Sequence, residues 1–421
     1  MRYITQWFQE QYLDTTLELT DSLEQYRSCT GPKLHYSTEQ IDPDSCWIES
    51  HVLLFEETIR PVSVAVSSNS SFPIFFAGRG EMGFDIWAAS FYLISRYEEY
   101  LPHRLDNYGR YEFSQSIAAT HGFLHRPLVD EWMTAFCQCL RARFPSLSFK
   151  KNQFQHVATY DIDESYAYRY KSFFRQLGGG FWDLLQGYTE SVGERLRTGF
   201  RFQKDPYDSF SFLQTLHPSG TDRPIVFFHV ARDRGAYDKN LSPDHPAQKK
   251  LIRMLSGLYD VGLHPSWYSV DHPPSLVTEK NILDKIVGRW VTASRQHYIR
   301  FQLPTTYDLL LDVGITDEYS MGYGSVNGFR ASTSRSFYWF NLQRNQHTLL
   351  RVHPFCYMDA NSFFESGQSI AQAEAEWKEL EQAVRQVGGR MITIWHNTFL
   401  GTQKRFVGWG DRYANWLKQV R

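Results

Sequence analysis

The spacing of apolar positions differs between the two ends of the chain. Before about residue 150, helical spacing predicts helices over 85–101 and 127–144, and strand-like runs over 52–76 predict a small sheet. The apolar stripe expected on the second helix consists of Leu128, Trp132, Ala135, Phe136, Cys139 and Leu140. Residues 1–150 are therefore expected to form a smaller N-terminal α/β domain, whose role the sequence does not indicate.

From residue 151 to 421, short apolar runs alternate with helical segments. The runs are HVATYDID, PIVFFHV, YDVGLHPSW, HYIRFQLP and RMITIWHN. This alternation predicts a second domain with a parallel α/β sheet, for which a barrel and a doubly wound sheet both fit. Its last helix is the clearest: Ser369 can cap it, and Gly388 and Gly389 can end it.

Composition and charge narrow the class of protein. Apolar residues make up 42% of the chain, aromatic residues 16% and charged residues 21%, which excludes extensive disorder. Lys and Arg number 44 against 46 Asp and Glu, so the net charge of −2 does not favour nucleic acid as a partner. Five scattered cysteines without a C-x-x-C pair indicate a reducing compartment. No apolar run could span a membrane, and we expect a cytoplasmic protein.

Polar residues close several of the predicted strands. In parallel α/β folds, ligands bind where the carboxyl ends of the strands meet. The residues at these positions are Asp161, Asp163, His229, His264, Arg300 and His396. An Asp pair spaced i, i+2 suits a divalent metal with a neighbouring base, and His264 would add a nitrogen ligand. A turn or capping role for the two acids fits the bare pattern equally well, whereas His229, like His353, is expected to be structural.

The order of these motifs resembles one family. TYDID, then GLHPSW, then an Arg-bearing strand with Pro, then I-x-I-x-H resembles the polysaccharide deacetylases (carbohydrate esterase family 4, NodB homology). The stretches FDIWAASFYLISRYEEY and EYSMGYGSVNGFRAST resemble bacterial members with an uncharacterised N-terminal domain. The resemblance implies a distorted (β/α) barrel of NodB type over residues 151–421.

The resemblance also implies roles for particular residues. Asp161 would be the general base, while Asp163 and His264 would hold a divalent metal, expected to be zinc. His396 would be the general acid that protonates the departing amine. Either Arg300 or Arg330 would match the arginine that orients the catalytic acid, and spacing does not decide between them.

One position departs from the family pattern. Four residues after His264, where a second histidine ligand is expected, the chain has Tyr268. A neutral phenol is a poor zinc ligand compared with imidazole. Three possibilities follow: a further ligand such as His272 or His229 completes the site, the metal is weakly bound, or it is absent.

The resulting hypothesis is a metal-dependent hydrolase that removes N-acetyl groups from an amino sugar or glycan. Trp267, Tyr268 and Trp395 are candidate substrate-binding residues beside the two site histidines. Two alternatives stay open: a degenerate deacetylase that binds a glycan or partner without turnover, and a nucleotide-sugar glycosyltransferase that uses the Asp pair. The charged stretch 95–111 either flanks the cleft or forms an interdomain surface.

Overall fold

The computed structural model describes residues 1–67, 71–170, 189–199, 202–218 and 223–421. The chain has an α/β fold with a mostly parallel sheet, which confirms the predicted fold class. None of the helices in the described residues is long and apolar enough to cross a membrane.

The N-terminal segment, residues 1–149, is mainly helical. Its helices are α1 (Arg2–Tyr12), α2 (Leu23–Ser28), α3 (Ile86–Ile94), α4 (Ile117–Thr120) and α5 (Leu128–Arg143). Strands β1 (Leu34–Ser37) and β2 (Cys46–Glu49) form a two-stranded parallel sheet. Asp85 caps α3 by accepting a hydrogen bond from the backbone of Ala88 at 2.9 Å, which explains where this helix begins.

The second segment is built around a nine-stranded sheet. Its strands are β3 (Gln155–Ile162), β4 (Ile225–His229), β5 (Asp260–His264), β6 (Ala293–Ser294), β7 (Asp317–Glu318), β8 (Phe337–Asn341), β9 (Gln346–Val352), β10 (Tyr357–Met358) and β11 (Arg390–His396). Their spatial order is β10-β11-β3-β4-β5-β6-β7-β9-β8, and only the β8–β9 pair is antiparallel. The order is open, since β10 and β8 do not pair within the described ranges.

Helices connect and cover these strands. They are α6 (Thr189–Gly199), α7 (Phe210–Leu216), α8 (Pro246–Leu258), α9 (Pro273–Val287), α10 (Thr305–Asp312), α11 (Ile370–Gln386) and α12 (Trp409–Val420). The predicted start of α11 is confirmed, because Ser369 forms a capping box with Gln372. The apolar core runs without interruption from α1 to α12, so the two segments share it.

Three predicted elements differ from the structure. The expected sheet over 52–76 is absent in the described part of that range, where only Ser67 and Ile74 form an isolated bridge. The helix expected over 85–101 stops at Ile94, because Arg96 takes a left-handed conformation (φ 57°). In α5, Ala135 and Cys139 are half-buried, and the fully buried face includes Met133 and Cys137 instead.

A buried ionic cluster joins the two segments. Glu99 accepts hydrogen bonds from Arg330 at 2.6 and 2.8 Å and from Arg96 at 2.7 Å. All three side chains are at most 4% exposed, and Arg96 also donates to the backbone carbonyl of Arg330. Burial raises the pKa of Glu99, but Arg330 and Arg96 outweigh it and hold the pKa at about 2. The charged stretch over 95–111 therefore lies, at its start, in the interface between the segments.

Replacing Glu99 should test how much this cluster contributes to the free energy of unfolding. Glu99→Ala leaves the buried guanidinium of Arg330 without its carboxylate and that of Arg96 with Glu98 alone, and we expect the free energy of unfolding to fall by about 3–5 kcal/mol. In Glu112→Ala, which breaks the exposed pair with Arg104, the fall should be much smaller, because water screens an exposed ion pair. Urea denaturation measures both, and equal losses would contradict the assignment. The contribution of Glu99 is present above its unfolded pKa of 4.5 and is lost as the pH falls towards 2.

Candidate metal and acid–base site

Polar side chains from six neighbouring strands meet at the carboxyl edge of the sheet. The parallel register sets His396, the last residue of β11, opposite Asp161 on β3, and sets His229 on β4 opposite His264 on β5. The residues that follow β3, β6 and β10 directly complete the group; they are Asp163, Arg295, His297 and Asp359. Asp161, Asp163, His264 and His396 therefore lie close together at this edge of the sheet.

Three of these side chains form a group that could hold a metal ion. Nε2 of His264 lies 3.1 Å from Oδ1 of Asp163, and Nε2 of His297 lies 3.6 Å from Oδ2 of the same carboxylate. One ligand atom from each of the three residues lies within 4.8 Å of the others. The ligand atoms of a tetrahedral zinc ion stand about 3.3 Å apart, so this spacing fits such an ion.

Hydrogen bonds at the far side of each imidazole fix which nitrogen faces Asp163. Nδ1 of His264 donates to the backbone carbonyl of Arg295 at 2.5 Å, and Nδ1 of His297 donates to Oδ1 of Asp238 at 3.0 Å. The two Nε2 atoms thus point their lone pairs at a carboxylate. Oδ1 of Asp163 is buried and has no hydrogen-bond partner among the described residues. Lone pairs facing each other at this distance call for a proton or a cation between them.

Access to this group is open on one side. The Asp163 side chain is 28% exposed, whereas His264 and His297 are at most 6% exposed. Two histidines and one carboxylate with an open side form a ligand set used by catalytic zinc sites. These three residues therefore fit a divalent metal ion with an open coordination position.

A second group, made of His229, Asp238 and His297, shares one ring with the first. Asp238 accepts hydrogen bonds from the backbone amides of Trp267 at 2.9 Å and Tyr268 at 3.3 Å as well as from His297. His229 donates from Nδ1 to the carbonyl of His264 at 3.1 Å. Asp238 is therefore already supplied with donors and acts as the support that orients His297. His229 packs behind the site, in agreement with its expected structural role.

Asp161 is held by a buried arginine. Nη1 of Arg295 donates to Oδ1 of Asp161 at 2.8 Å and to the hydroxyl of Thr159, also at 2.8 Å. The other oxygen, Oδ2, lies 3.8 Å from Nε2 of His264. Both Asp161 and Arg295 are almost fully buried. One carboxylate oxygen is thereby fixed, and the other faces the metal-ligand group.

His396 is held by a buried aspartate. Its Nδ1 donates to Oδ1 of Asp359 at 2.6 Å, and Oδ2 of Asp359 accepts the His396 backbone amide at 2.7 Å. Nε2 of His396 points towards the site, 3.7 Å from Oδ2 of Asp163. Burial lowers the pKa of His396, but the carboxylates of Asp359 and Asp163 outweigh it and raise the pKa to about 10. This imidazole is protonated at neutral pH in the metal-free protein.

Three predicted site residues do not reach the site. Arg330 is bound to Glu99 in the interface described above. Arg300 donates to the carbonyl of Trp267 and to Asp271, both at 2.7 Å, and the structure shows no contact between its side chain and Asp161 among the described residues. Trp395 is fully buried and stacks on Tyr413 with ring centroids 4.2 Å apart, so it is a core residue. The arginine beside Asp161 is Arg295 instead.

Tyr268, which stands where a second histidine ligand was expected, lies outside the ligand group. The ring of Tyr268 is exposed and stacks on His272, with centroids 3.7 Å apart, so these two side chains pair with each other and take no part in the ligand group. Trp267 is half-buried and lies in the loop that follows β5. A second imidazole beside Asp163 comes instead from His297, which follows β6.

Four residues at the site were missed from the sequence: His297, Arg295, Asp359 and Asp238. Arg295 and His297 follow β6, which is only two residues long and lies just before the strand predicted from HYIRFQLP. That predicted strand is wrong: its first residues form a 3-10 turn over His297–Ile299. Asp359 likewise follows a two-residue strand, β10. Had these short strands been located, the strand-end rule would have found all but Asp238.

Comparisons with known proteins give the following matches. The family described as "Family of unknown function (DUF7033)" matches residues 1–145. No curated protein matches the chain significantly. Among solved structures, the chain is similar to a protein assigned as a polysaccharide deacetylase from Mycobacterium smegmatis, with 12% identity, a TM-score of 0.42, and coverage of 64% of this chain and 85% of that one.

Two further solved structures are similar over comparable lengths. The PuuE allantoinase shares 10% identity with a TM-score of 0.41, covering 64% of this chain and 85% of that one. A polysaccharide deacetylase from Bacillus cereus shares 10% identity with a TM-score of 0.30, covering 63% and 87%. At these identities the likenesses concern the fold alone, and TM-scores below 0.5 support no statement about substrate or mechanism.

Zinc binding to the metal-free protein should depend on pH through His297. Burial lowers the pKa of His297, but Asp163 and Asp238 outweigh it and raise the pKa to about 9. Zinc must displace this proton, so the affinity should rise by about tenfold per pH unit from pH 7 until it levels off near pH 9. Competition with a chromophoric chelator measures it. In His297→Ala this rise should vanish, and a wild-type affinity that does not change with pH would contradict the ligand assignment.

Proposed function

We propose that this chain is a metal-dependent hydrolase that removes N-acetyl groups from an amino sugar or glycan. The observation that carries the proposal is the meeting, at one sheet edge, of a two-histidine, one-aspartate group with two oriented acid–base residues, Asp161 and His396. Amide hydrolysis needs these three functions within reach of one bond. The motif order described above supports an N-acetylated sugar as the substrate class.

Asp163, His264 and His297 would hold the metal. Zinc bound there supplies Lewis acidity towards the amide carbonyl. The protein's part is to present three ligand atoms in the correct tautomers, which Asp238 and the carbonyl of Arg295 achieve through the Nδ1 hydrogen bonds.

Asp161 and His396 would handle the protons. Oδ2 of Asp161 is the oxygen left free by Arg295, and it would take the proton from the attacking water. Nε2 of His396 would give a proton to the departing nitrogen. Asp359 keeps the ring in place and stabilises its charged form. The base and the acid are thus held by different partners, Arg295 and Asp359.

The contacts support hydrolysis over the two alternatives. Metal ions that bind nucleotide diphosphates prefer oxygen ligands, whereas two imidazoles surround Asp163 here. The reason for considering a degenerate site was the missing histidine at Tyr268, and His297 offers a nitrogen in its place.

Metal content should depend on three residues and not on two neighbours. In Asp163→Ala, His264→Ala and His297→Ala, we expect bound zinc to fall from about one ion per chain to well below that, because each change removes a ligand. Tyr268→Ala and His272→Ala serve as matched controls that should keep the metal. Elemental analysis after gel filtration measures this, and loss of zinc in Tyr268→Ala would count against the assignment.

Removing the acid or the base should stop turnover without emptying the site. We expect Asp161→Asn and His396→Gln to keep zinc but to lower kcat for acetate release from N-acetylglucosamine oligosaccharides by about 100-fold or more, since each loses a proton transfer. His272→Ala should keep the wild-type rate. If the zinc-loaded wild-type protein released no acetate from any N-acetylated sugar tried, the proposed function would be wrong.

A further inference from the structure

A cluster of aromatic side chains lies directly beside the metal-ligand group. We define the tyrosine cluster as Tyr108, Tyr237 and Tyr298 together with Trp267. Tyr298 follows His297 in the chain, and their rings lie 4.7 Å apart. Tyr298 stacks on Tyr108 at 5.3 Å, and Tyr237 lies 5.4 Å from Tyr298 and 4.7 Å from Trp267. All four side chains are half-buried, so each retains a surface open to solvent.

Tyr108 belongs to the N-terminal segment. Its neighbour Arg110 is buried and forms hydrogen bonds with the second segment. Arg110 is 4% exposed and donates from Nη1 to the carbonyls of Tyr298 at 3.2 Å and Gly324 at 2.8 Å. Its Nε donates to Asp106 at 2.7 Å, and its guanidinium lies over the ring of Tyr108, 4.6 Å from the centroid. The position of Tyr108 is therefore built by specific contacts on both sides of the segment boundary.

The backbone at Tyr298 is in an unfavourable conformation. Tyr298 and Ile299 both have positive φ, at 59° and 54°, although neither is glycine or asparagine. Such residues are rare and cost free energy, and they concentrate at functional sites. Here this conformation places the ring of Tyr298 next to the metal ligand His297.

The polar side-chain groups of the tyrosine cluster make no hydrogen bonds with the described residues. The hydroxyl groups of Tyr108, Tyr237 and Tyr298 make no hydrogen bond with the described residues. Nε1 of Trp267 is buried and also has no partner among them. In contrast, buried tyrosines of the core such as Tyr307 and Tyr160 bond to Glu318 and Tyr413. Half-buried aromatic side chains with free hydroxyls suit a ligand that is apolar on its faces and polar at its edges.

We propose that the tyrosine cluster binds the sugar ring adjacent to the bond that is cleaved, and that Tyr108 makes the N-terminal segment part of the substrate site. The ligand class rests on the proposed function. A pyranose presents C–H groups on its faces and hydroxyls around its edge, which matches the cluster. The N-terminal segment would then select the substrate, in addition to its structural contact through Glu99.

Binding to substitution variants of the full chain tests this inference. The probe is the tetramer of N-acetylglucosamine, added to zinc-free protein so that binding is measured without turnover, by titration calorimetry. For Tyr108→Ala and Tyr237→Ala we expect Kd to rise five- to tenfold, and for Tyr108→Phe less than that. Tyr338→Ala is the matched control: Tyr338 is half-buried on the outer strand β8, and its Kd should equal that of the wild type.

The possible results distinguish a role in ligand binding from a role in packing. They also distinguish failure of this inference from failure of the proposed function. Equal Kd values for Tyr108→Ala and the wild type, equal weakening in Tyr338→Ala, or no binding by the wild type would each overturn the inference. Thermal unfolding identifies a variant that does not fold, for which Tyr237→Ala and Tyr108→Phe remain as tests. Cluster-dependent binding without acetate release by the zinc-loaded protein would support the subsite while refuting the hydrolase. Acetate release with a Kd that does not depend on the cluster would support the hydrolase while refuting the subsite.

Discussion

The carboxylate of Asp163 faces Nε2 of His264 and of His297, with Nε2 of His396 3.7 Å away, and much of the surrounding structure serves this arrangement. A carboxylate and two neutral imidazoles present only lone pairs to each other, so the group is stable only with a proton or a metal ion among them. Asp238 and the carbonyl of Arg295 hold the rings in this orientation from behind. The raised pKa of His297 and the metal affinity expected of the site have the same origin: a concentration of negative potential at Asp163.

The parallel sheet explains how distant residues reach one site. Register places the ends of β11, β3, β4 and β5 side by side, so that residues more than 200 positions apart face one another. Each of the two residues proposed to transfer protons has its own buried partner, Arg295 for Asp161 and Asp359 for His396. A cationic partner for Asp161 and an anionic partner for His396 suit a base and an acid that act on the same bond.

The N-terminal segment is tied to the sheet by buried charge as well as by apolar packing. The Arg96–Glu99–Arg330 cluster lies in the shared core, and Arg110 crosses to the carbonyl of Tyr298 near the site. Burying charge without its partner is costly, so this contact fixes one relative arrangement of the segments. The boundary near residue 150 stays a prediction, and the continuous core shows that the two parts fold against each other.

Sequence reasoning found the residues that close long strands and missed those that close short ones. Asp161, His264 and His396 lie at the ends of strands of five or more residues, whereas His297 and Asp359 follow strands of two, which leave no pattern to detect. Arg300 and Arg330 were the two arginine candidates and Arg295 was not among them, because a motif shows which residues are arginine and not which carboxylate each one meets. Asp238 lies in a loop after β4, and only the tertiary contacts show its place behind His297.

The identity of the third ligand is the central claim, and anomalous diffraction at the zinc absorption edge tests it most directly. Crystals of the zinc-loaded full chain should show one strong anomalous peak within bonding distance of Asp163, His264 and His297, with Tyr268 and His272 stacked on each other outside it. A peak bonded to Tyr268 or His272, or no peak at this edge of the sheet, would contradict the account.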